Sequence, residues 1–443
     1  MNVRGAVLIG LAIGCLLQEG RAMSEEVRFE IAGEEPEADR PKGCRRTLVG
    51  PGINEPEPYE GYGGFVGWSG VTRLRSGRWL LTFTSGYWHV TVPWAEEIRA
   101  DPACAKQHKE WREIGLPDLP APRGGRTHIM HSDDEGLTWS APEVLVDTDA
   151  DDRSPTILEL DDGTLICTFF TYRLPRVVYA KYMLSGDGGD TWTEPLDLPG
   201  KPEQTAFSSG PAIQLADGTV VWEVEGNFDA EHGLHCIGTF RSADRGRTFE
   251  LASLVTTDHD LYEPTVAETE PGKLTMVIRR EGDMCFSDDG GLTWRYSGST
   301  GWNLFDPHLL QMPNGVLALF HGSYTKGGIR VLLSPDGGRT WRGPGEADGK
   351  PYGYSVDPSV YGYCHPILLP DGTAYVVYLH TGGHRPDDAR AESLFGLRVR
   401  VRADASGIDI LPAPGSPAAG GAEADEGDTP DPGGGDPELG NEF

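Results

Sequence analysis

Ser132-Asp133-Asp134-Glu135-Gly136-Leu137-Thr138-Trp139 is the first of five copies of one short pattern, and their repetition predicts the fold of this chain. The shared pattern is Ser-x-Asp-x-Gly-x-Thr followed by Trp or Phe, and the intervals between successive copies are 53, 57, 45 and 47 residues. A motif that recurs every 40–50 residues or so is typical of a repeat architecture. The later copies span residues 185–192, 242–249, 287–294 and 334–341.

Each copy of the motif has the chemistry of a hairpin staple. Ser and Asp oxygens accept hydrogen bonds from nearby backbone N–H groups and hold a tight turn. Gly permits backbone angles that other residues resist, and the closing Trp or Phe anchors the turn on a sheet. We therefore assign these acidic residues a structural role, with no part in catalysis or metal binding.

A second repeat gives the number of structural units. It consists of an apolar strand, a turn containing Gly and another apolar strand, and Asp-Gly, Asn-Gly and similar pairs at its centre are typical of hairpins. Six copies predict six blades, of which the sixth lacks the Ser/Asp motif, and residues 397–401 supply a closing strand for an N-terminal partner. The copies span residues 71–83, 155–170, 211–224, 264–278, 307–320 and 366–377.

The motif resembles the Asp box, or bacterial neuraminidase repeat, of the sialidase superfamily, and the resemblance covers roughly residues 60–400. It implies an all-β fold, a six-bladed β-propeller with four-stranded antiparallel blades. It also implies a glycoside hydrolase of exo-α-sialidase type. Members of that superfamily use a Tyr nucleophile activated by a Glu, an Asp acid/base and three Arg that grip the substrate carboxylate.

The flanking segments predict a secreted protein. Arg4, a short apolar core and a small-residue cleavage site are typical of a signal peptide. Processing as a lipoprotein at Cys15 is a minor alternative. The predicted divisions are a signal peptide at 1–22, an acidic linker at 23–43, the propeller at 44–413 with an insertion at 94–125, and a disordered acidic tail rich in Gly and Pro at 414–443.

The composition of the chain disfavours some classes of binding partner. The formal net charge is −30, and residues 421–443 alone carry eight acids and no base. Such a charge disfavours binding to nucleic acid. No segment beyond the signal peptide is long and apolar enough to span a membrane, and the cysteine spacing matches no metal-ligand pattern. We expect a carbohydrate or glycoconjugate substrate and no cofactor or metal.

One end of the predicted propeller carries ionisable and aromatic side chains, whereas the hairpin turns at the other end carry only turn formers. We call the first end the mouth. Convergent titratable groups at the mouth of a closed scaffold favour a binding or catalytic site. The residues placed there are Trp68, Trp88, His89, Asp151, Asp152, Arg153, Arg173, Ser209, Glu225, Glu263, Arg279, Arg280, Asp306, His308, His321, Tyr363, His365 and His380.

Three positions match the superfamily site. Tyr262-Glu263-Pro264-Thr265-Val266 resembles the segment that holds the activating Glu, and Arg279 follows it by sixteen residues. Gly362-Tyr363 resembles the segment that holds the nucleophile. The resemblance therefore implies Tyr363 as nucleophile, Glu263 as its base and Arg279 as an anion clamp.

Other positions depart from the superfamily pattern. Gly67-Trp68-Ser69-Gly70 stands where the first Arg is expected, and residues 125–131, before the first motif copy, lack the acid/base Asp. Lys326 and Arg330 lie near the expected third Arg without a clear match. We name Asp152 and His89 as catalytic candidates beside Tyr363 and Glu263, with His308 as a further source of acid/base function. The substrate-binding candidates are Arg279, Arg153, Arg173, Glu225, Asp306, His308 and His321.

Three hypotheses for function follow. The favoured one is a secreted glycoside hydrolase that cleaves a terminal sugar, sialic acid or another acidic sugar, with a Tyr nucleophile. The second is a carbohydrate-binding propeller without turnover, which requires no close Tyr–Glu pair. The third is a polysaccharide lyase on the same scaffold, with His89, His308 or Tyr363 as base.

Overall fold

A computed structural model gives the architecture of the chain. It describes residues 27–33, 43–60, 62–86, 102, 123–173, 177–199, 206–207, 210–229, 231–302, 304–323, 327–345, 349–360, 362–380 and 393–413. The elements formed by these residues are β-strands, and they group into six sheets. The predicted signal peptide, most of the 94–125 insertion and the 414–443 tail lie outside the described ranges, so their assignments stay predictions.

Two N-terminal strands precede the first blade, and three blades of antiparallel strands follow in chain order. The N-terminal strands are β1 (Arg28–Ile31) and β2 (Arg46–Val49). Blade one contains β3 (Phe65–Arg73), β4 (Trp79–Gly86), β5 (Arg126–Ser132) and β6 (Glu143–Val146). Blade two contains β7 (Asp151–Glu159), β8 (Leu165–Arg173), β9 (Val177–Ser185) and β10 (Leu196–Asp197). Blade three contains β11 (Ala206–Phe207), β12 (Ile213–Gln214), β13 (Val220–Gly226), β14 (Cys236–Ser242) and β15 (Glu250–Val255).

Three further blades complete the ring. Blade four contains β16 (Tyr262–Glu270), β17 (Lys273–Arg279), β18 (Asp283–Ser287) and β19 (Arg295–Ser299). Blade five contains β20 (Leu304–Gln311), β21 (Leu317–Ser323), β22 (Ile329–Ser334), β23 (Thr340–Gly343) and β24 (Tyr354–Asp357). Blade six contains β25 (Cys364–Leu368), β26 (Ala374–His380), β27 (Ser393–Val401) and β28 (Ile408–Leu411). The predicted six-bladed propeller is confirmed.

The two N-terminal strands pair with strands of the last two blades. β2 pairs antiparallel with β27, so an N-terminal strand completes blade six as the sequence predicts. β1 pairs parallel with β23 at the edge of blade five. Residues 23–43 are therefore not linker throughout, and the prediction missed this strand because acids surround it. Phe29 packs on Trp302 with ring centroids 4.7 Å apart, which explains why so short a segment is held.

The core lies between blades rather than within one. Because each blade is stacked between two others, both faces of its second strand are covered, and β4, β13 and β21 are buried along their whole length. Trp222 on β13 is fully buried, and its ring centroid lies 6.4 Å from that of Tyr182 in blade two. Apolar packing between sheets thus fixes the angle of each blade and, with it, the position of the inner strands.

The Asp boxes are the staples that the sequence predicts. In the first box, Asp134 accepts hydrogen bonds from Ser132 Oγ at 2.8 Å, Thr138 N at 2.8 Å and Thr138 Oγ1 at 2.6 Å. Box turns also bind the preceding blade. Thr275 Oγ1 of blade four, for example, donates to Gly337 O of the fifth box at 2.7 Å. The boxes therefore join neighbouring blades at the end opposite the mouth.

Acidification should destabilise the protein through these boxes. Hydrogen bonds from Thr138 lower the pKa of Asp134 from 3.8 to about 2, and hydrogen bonds from Thr191 lower the pKa of Asp187 likewise. A depressed carboxyl pKa gives stability that is present above the unfolded value and is lost as pH falls through the folded value. We expect the melting temperature to drop between pH 4 and 2, and Asp187→Asn to reduce that drop. Glu194→Gln, an exposed acid in the same blade, is the control and should leave the profile unchanged.

Candidate active site

The mouth is shaped by an irregularity that recurs in the inner strands. The pairing of the first strand with the second shifts register in blades one, two, four and five. At each shift a residue other than Gly takes a positive φ: Trp68 at 44°, Ser154 at 53°, Glu263 at 39° and Asp306 at 41°. Bulges of this kind redirect side chains and are common beside active sites. The four residues therefore occupy equivalent positions around the mouth.

A side chain from the preceding blade binds the backbone at two of these bulges. Thr84 Oγ1 on β4 accepts a hydrogen bond from Ser154 N at 3.1 Å. Glu225, at the same position along β13, accepts the hydrogen bond of Glu263 N. Glu225 is 5% exposed, so its carboxyl group supports the Glu263 backbone from inside the mouth rather than facing an entering ligand.

Tyr363, Glu263 and Arg279 meet at the centre of the mouth. Tyr363 Oη lies 3.4 Å from Glu263 Oε1 and 3.4 Å from Arg279 Nη1. Arg279 also forms an ion pair with Glu263 Oε1. Glu263 and Arg279 come from the two inner strands of blade four, whereas Tyr363 directly precedes β25 in blade six. The structure therefore brings together the three residues that the sequence groups, and their catalytic roles stay predictions.

Aromatic rings enclose this triad. The Phe305 ring centroid lies 4.6 Å from that of Tyr363, and the Trp68 centroid lies 6.3 Å from it on another side. The guanidinium of Arg279 lies 4.6 Å from the Phe305 centroid. Trp68, Phe305 and Tyr363, which we call the aromatic wall, are each partly exposed. Sequence reasoning placed Trp68 in the mouth but missed Phe305, although Phe305 precedes the bulge residue Asp306.

Burial sets the electrostatics of the two glutamates. Desolvation raises the pKa of Glu263 above its usual range, and the charge of Arg279 opposes this rise. Burial, followed by the charge of Glu263, raises the pKa of Glu225 to about 8. Glu225 therefore holds a proton at neutral pH for most of the time. Glu263 keeps a buried Oε2 with no hydrogen-bond partner among the residues described.

At the mouth, two charged side chains of blade two form a buried ion pair. Arg153 forms an ion pair with Asp151, and the exposed fractions of the two side chains are 4% and 1%. Its guanidinium lies between the rings of Trp68 and Tyr172, at 4.9 and 5.2 Å from their centroids. Arg153 thus touches the back of the aromatic wall. Asp152, the next residue in sequence after Asp151, is held by hydrogen bonds instead of an ion pair.

Asp152 is bound by hydroxyl and amide groups of its own blade. Thr148 N donates to Oδ2 at 2.7 Å, and Thr171 Oγ1 and Thr148 Oγ1 donate to Oδ1 at 2.7 and 3.1 Å. Burial raises the pKa of Asp152 to about 6. A carboxylate that is fully buried and accepts three hydrogen bonds is better suited to holding β7 and β8 together than to proton transfer with a substrate.

Histidines and Asp306 lie below the mouth between blades five and six. His308 Nε2 is 3.3 Å from Asp306 Oδ2, and the His308 and His365 ring centroids are 5.1 Å apart. His321 Nδ1 is bonded to Gly322 O at 2.7 Å, and burial lowers the pKa of His321 to about 4. His321 is thus a neutral, buried group, whereas Asp306 and His308 form a dyad next to the triad strands.

The remaining candidates are peripheral or outside the described ranges. Arg173 is 55% exposed and lies 3.7 Å from Asp149 at the rim. Arg330 donates to the backbone carbonyls of Gly327 and Gly353 at 3.0 Å each, which explains why it does not serve as a third clamp. His89 and Lys326 fall outside the described ranges, so a role for His89 stays a prediction. Arg280 lies 4.4 Å from the Tyr262 ring centroid.

Other features of the described ranges do not compete with the mouth as a site. No group of three or more His, Cys, Asp or Glu residues within them is arranged to hold a metal ion. Nor do they contain a helix long and apolar enough to cross a membrane. A surface cavity between blades four and five is lined by hairpin-turn residues and the fifth Asp box, including Lys273, Gln311 and Asp336. Its polar groups belong to staples and turns, so we place the chemistry at the mouth.

Comparison with known families agrees with the fold. Residues 123–376 match the BNR repeat-like domain. The chain belongs to this family. Among curated proteins, none matches this BNR-repeat propeller.

Solved structures share the propeller at low sequence identity. A protein of unknown function from Dyadobacter fermentans is 18% identical, with a TM-score of 0.59 over 83% of this chain and 100% of that one. The Hadza microbial sialidase Hz136 is 18% identical, with a TM-score of 0.54 over 75% of this chain and 65% of that one. Trypanosoma rangeli sialidase bound to the inhibitor DANA is 16% identical, with a TM-score of 0.52 over 75% and 55%. The predicted sialidase-like propeller is thus confirmed as a fold.

Two substitutions of Glu225 should show how much its hydrogen bond with Glu263 N contributes to the stability of the protein. Glu225→Leu leaves the partly buried Glu263 N–H without this acceptor, which costs about 1–3 kcal/mol of unfolding free energy. Glu225→Gln keeps an oxygen acceptor and resembles the protonated acid, so we expect it to remain close to wild type at pH 6. Urea unfolding measures both variants.

The equivalent position in blade one gives a matched comparison. Thr84→Val removes the acceptor of Ser154 N at nearly constant volume, and we expect a loss of about 1–3 kcal/mol there as well. If Glu225→Leu were no less stable than Glu225→Gln, the support of the Glu263 bulge by Glu225 would be disproved.

Proposed function

We propose that this protein is a glycoside hydrolase of the sialidase superfamily that removes a terminal sugar with Tyr363 as nucleophile. The observation that carries the proposal is the position of Tyr363 Oη, 3.4 Å from both Glu263 Oε1 and Arg279 Nη1. A phenol between a carboxylate and a guanidinium has a base to accept its proton and a cation to stabilise the developing phenolate.

The first step forms a glycosyl–tyrosine bond. Glu263 takes the phenol proton while Tyr363 Oη attacks the anomeric carbon, and the bond from that carbon to the leaving oxygen breaks. The leaving oxygen must also gain a proton. Of the sequence candidates, Asp152 is held by Thr148 and Thr171, whereas His308 keeps an imidazole beside Asp306. We assign this proton to His308.

The second step releases the sugar. Water attacks the anomeric carbon, the bond to Tyr363 Oη breaks, and Glu263 returns its proton to the phenolate. His308 recovers a proton from the attacking water, so the protein ends in its starting state. Two successive displacements at one carbon retain the anomeric configuration. The buried Arg279–Glu263 pair and the Glu225 support keep the reacting groups in place between the steps.

The close Tyr363–Glu263 pair favours this function over the two alternatives. A purely carbohydrate-binding propeller has no need to desolvate a carboxylate next to a phenol. A lyase on this scaffold would give an unsaturated product that absorbs in the ultraviolet, so the product spectrum distinguishes it from a hydrolase. Secretion after cleavage of the 1–22 signal peptide, and a carbohydrate or glycoconjugate partner, accompany the proposal.

The nucleophile and base can be tested with aryl glycosides. Because 4-nitrophenolate leaves without protonation, kcat/KM for these substrates, which covers the steps up to its release, reports on Tyr363 and Glu263 without the proton from His308. We expect Glu263→Gln to lower kcat/KM by roughly 10²–10⁴-fold and Tyr363→Phe to remove turnover while the circular dichroism spectrum stays that of wild type. Tyr296→Phe, on the outer strand of blade four, is the matched control and should retain full activity. Undiminished turnover by Tyr363→Phe would refute the mechanism.

The pH profile of kcat/KM should show the raised pKa of Glu263. The base must be ionised to accept the phenol proton, so activity falls as pH drops through this pKa, above the ordinary value of 4.5. The charge of Arg279 lowers this pKa. We therefore expect Arg279→Met to move the acid limb to higher pH, and Arg245→Met, at an exposed Asp box, to leave it in place. An acid limb at or below pH 4.5 in wild type would contradict the assignment of Glu263.

A further inference from the structure

Three aromatic side chains contribute to the partly exposed surface of the described mouth around Tyr363. Trp68, Phe305 and Tyr363 form the aromatic wall, in which the Tyr363 ring centroid lies 6.3 Å from that of Trp68 and 4.6 Å from that of Phe305. Arg279 and Glu263 lie beside the wall with side chains 17% and 14% exposed, and they are paired with each other. Aromatic faces bind the apolar C–H face of a sugar ring, which exists whether or not the sugar carries a charge.

The guanidinium groups next to the aromatic wall are already matched by carboxylates. Arg153 is bound to Asp151, and Arg279 is bound to Glu263. Asp306 adds a carboxylate to the same region, and its charge acts on Glu263. To bind Arg153 or Arg279, an entering substrate carboxylate would have to displace a protein carboxylate from its guanidinium, which is costly in a desolvated site.

One hydrogen-bond acceptor in the mouth lacks a donor among the described residues. Glu263 Oε2 is buried without a hydrogen-bond partner among the described residues. A buried acceptor without a partner costs free energy that a donor from the ligand recovers. A sugar hydroxyl supplies such a donor, whereas a carboxylate placed there would add repulsion. The net charge of −30 on the whole chain also repels anionic ligands at longer range.

We propose that the aromatic wall and the internally neutralised arginines select an uncharged terminal sugar over sialic or uronic acids. This inference rests on the proposed function and names its substrate class. It replaces the acidic sugar that the superfamily resemblance implies with one recognised by ring stacking on the wall and by a hydroxyl bond to Glu263. Arg279 then acts on the Tyr363 phenolate rather than on a substrate carboxylate.

Binding can be tested without turnover in the Tyr363→Phe protein. Methyl glycosides of glucose, galactose and mannose are compared by NMR titration with their uronates, each of which differs only at C6, and with the methyl glycoside of N-acetylneuraminic acid. We expect at least about tenfold tighter binding of an uncharged glycoside than of its uronate. Tighter binding of a uronate or of the sialoside, or no binding of any of these sugars, would overturn the inference.

Turnover by the wild-type protein separates this inference from the proposed function. The 4-nitrophenyl glycosides of the same sugars are assayed side by side. Hydrolysis confined to sialosides or uronides overturns the inference and leaves the hydrolase intact. Preferential binding of uncharged sugars without hydrolysis of any glycoside has the opposite meaning, since it supports the inference and rejects the hydrolase.

Variants at Trp68 test the wall itself. Trp68→Ala should weaken binding of the preferred uncharged glycoside by about fivefold to tenfold, in line with the energy of one aromatic contact. Trp68→Phe keeps a ring and should restore most of the affinity. If alanine and phenylalanine weakened binding equally while both proteins stayed folded, stacking on the wall would be excluded.

Discussion

The hydrogen bond between Glu225 and the backbone of Glu263 is the constraint on which the site depends. A bulge with a positive φ turns Glu263 toward the mouth, and such a backbone is costly unless its surroundings hold it. Blade three supplies the acceptor and blade four the bulge, so the site exists only when two blades are stacked. Thr84 and Ser154 repeat the arrangement between blades one and two.

The same constraint explains the unusual charge balance of the mouth. Glu225 is buried against a second carboxyl group, which raises its pKa to about 8 and leaves it mostly protonated at neutral pH. Glu263 can then keep Arg279 as its counter-ion, and Tyr363 sits within reach of both. A compact set of one base, one cation and one phenol results, in which Glu263 already matches the charge of Arg279.

Local patterns made most of the fold and part of the site predictable. The Asp boxes act within eight residues, and the hairpin repeat has its own period, so neither depends on distant contacts. Tyr363, Glu263 and Arg279 could be named because they keep their motif neighbours. Phe305 and the strand Arg28–Ile31 were missed, since the first is defined by a bulge and the second by packing on Trp302.

The six blades and their staples can be read from the chain alone, because they follow from short-range hydrogen bonding and strand periodicity, and the residue types at the mouth can be read with them. The tertiary structure sets which of the ionisable groups at the mouth are free to act on a ligand. It bound Asp152 to two threonines, paired Arg153 with Asp151 and made Glu225 a support for Glu263. Burial between stacked blades and the three-dimensional placement of partners, some near in sequence and some far from it, set the charge and orientation of these groups.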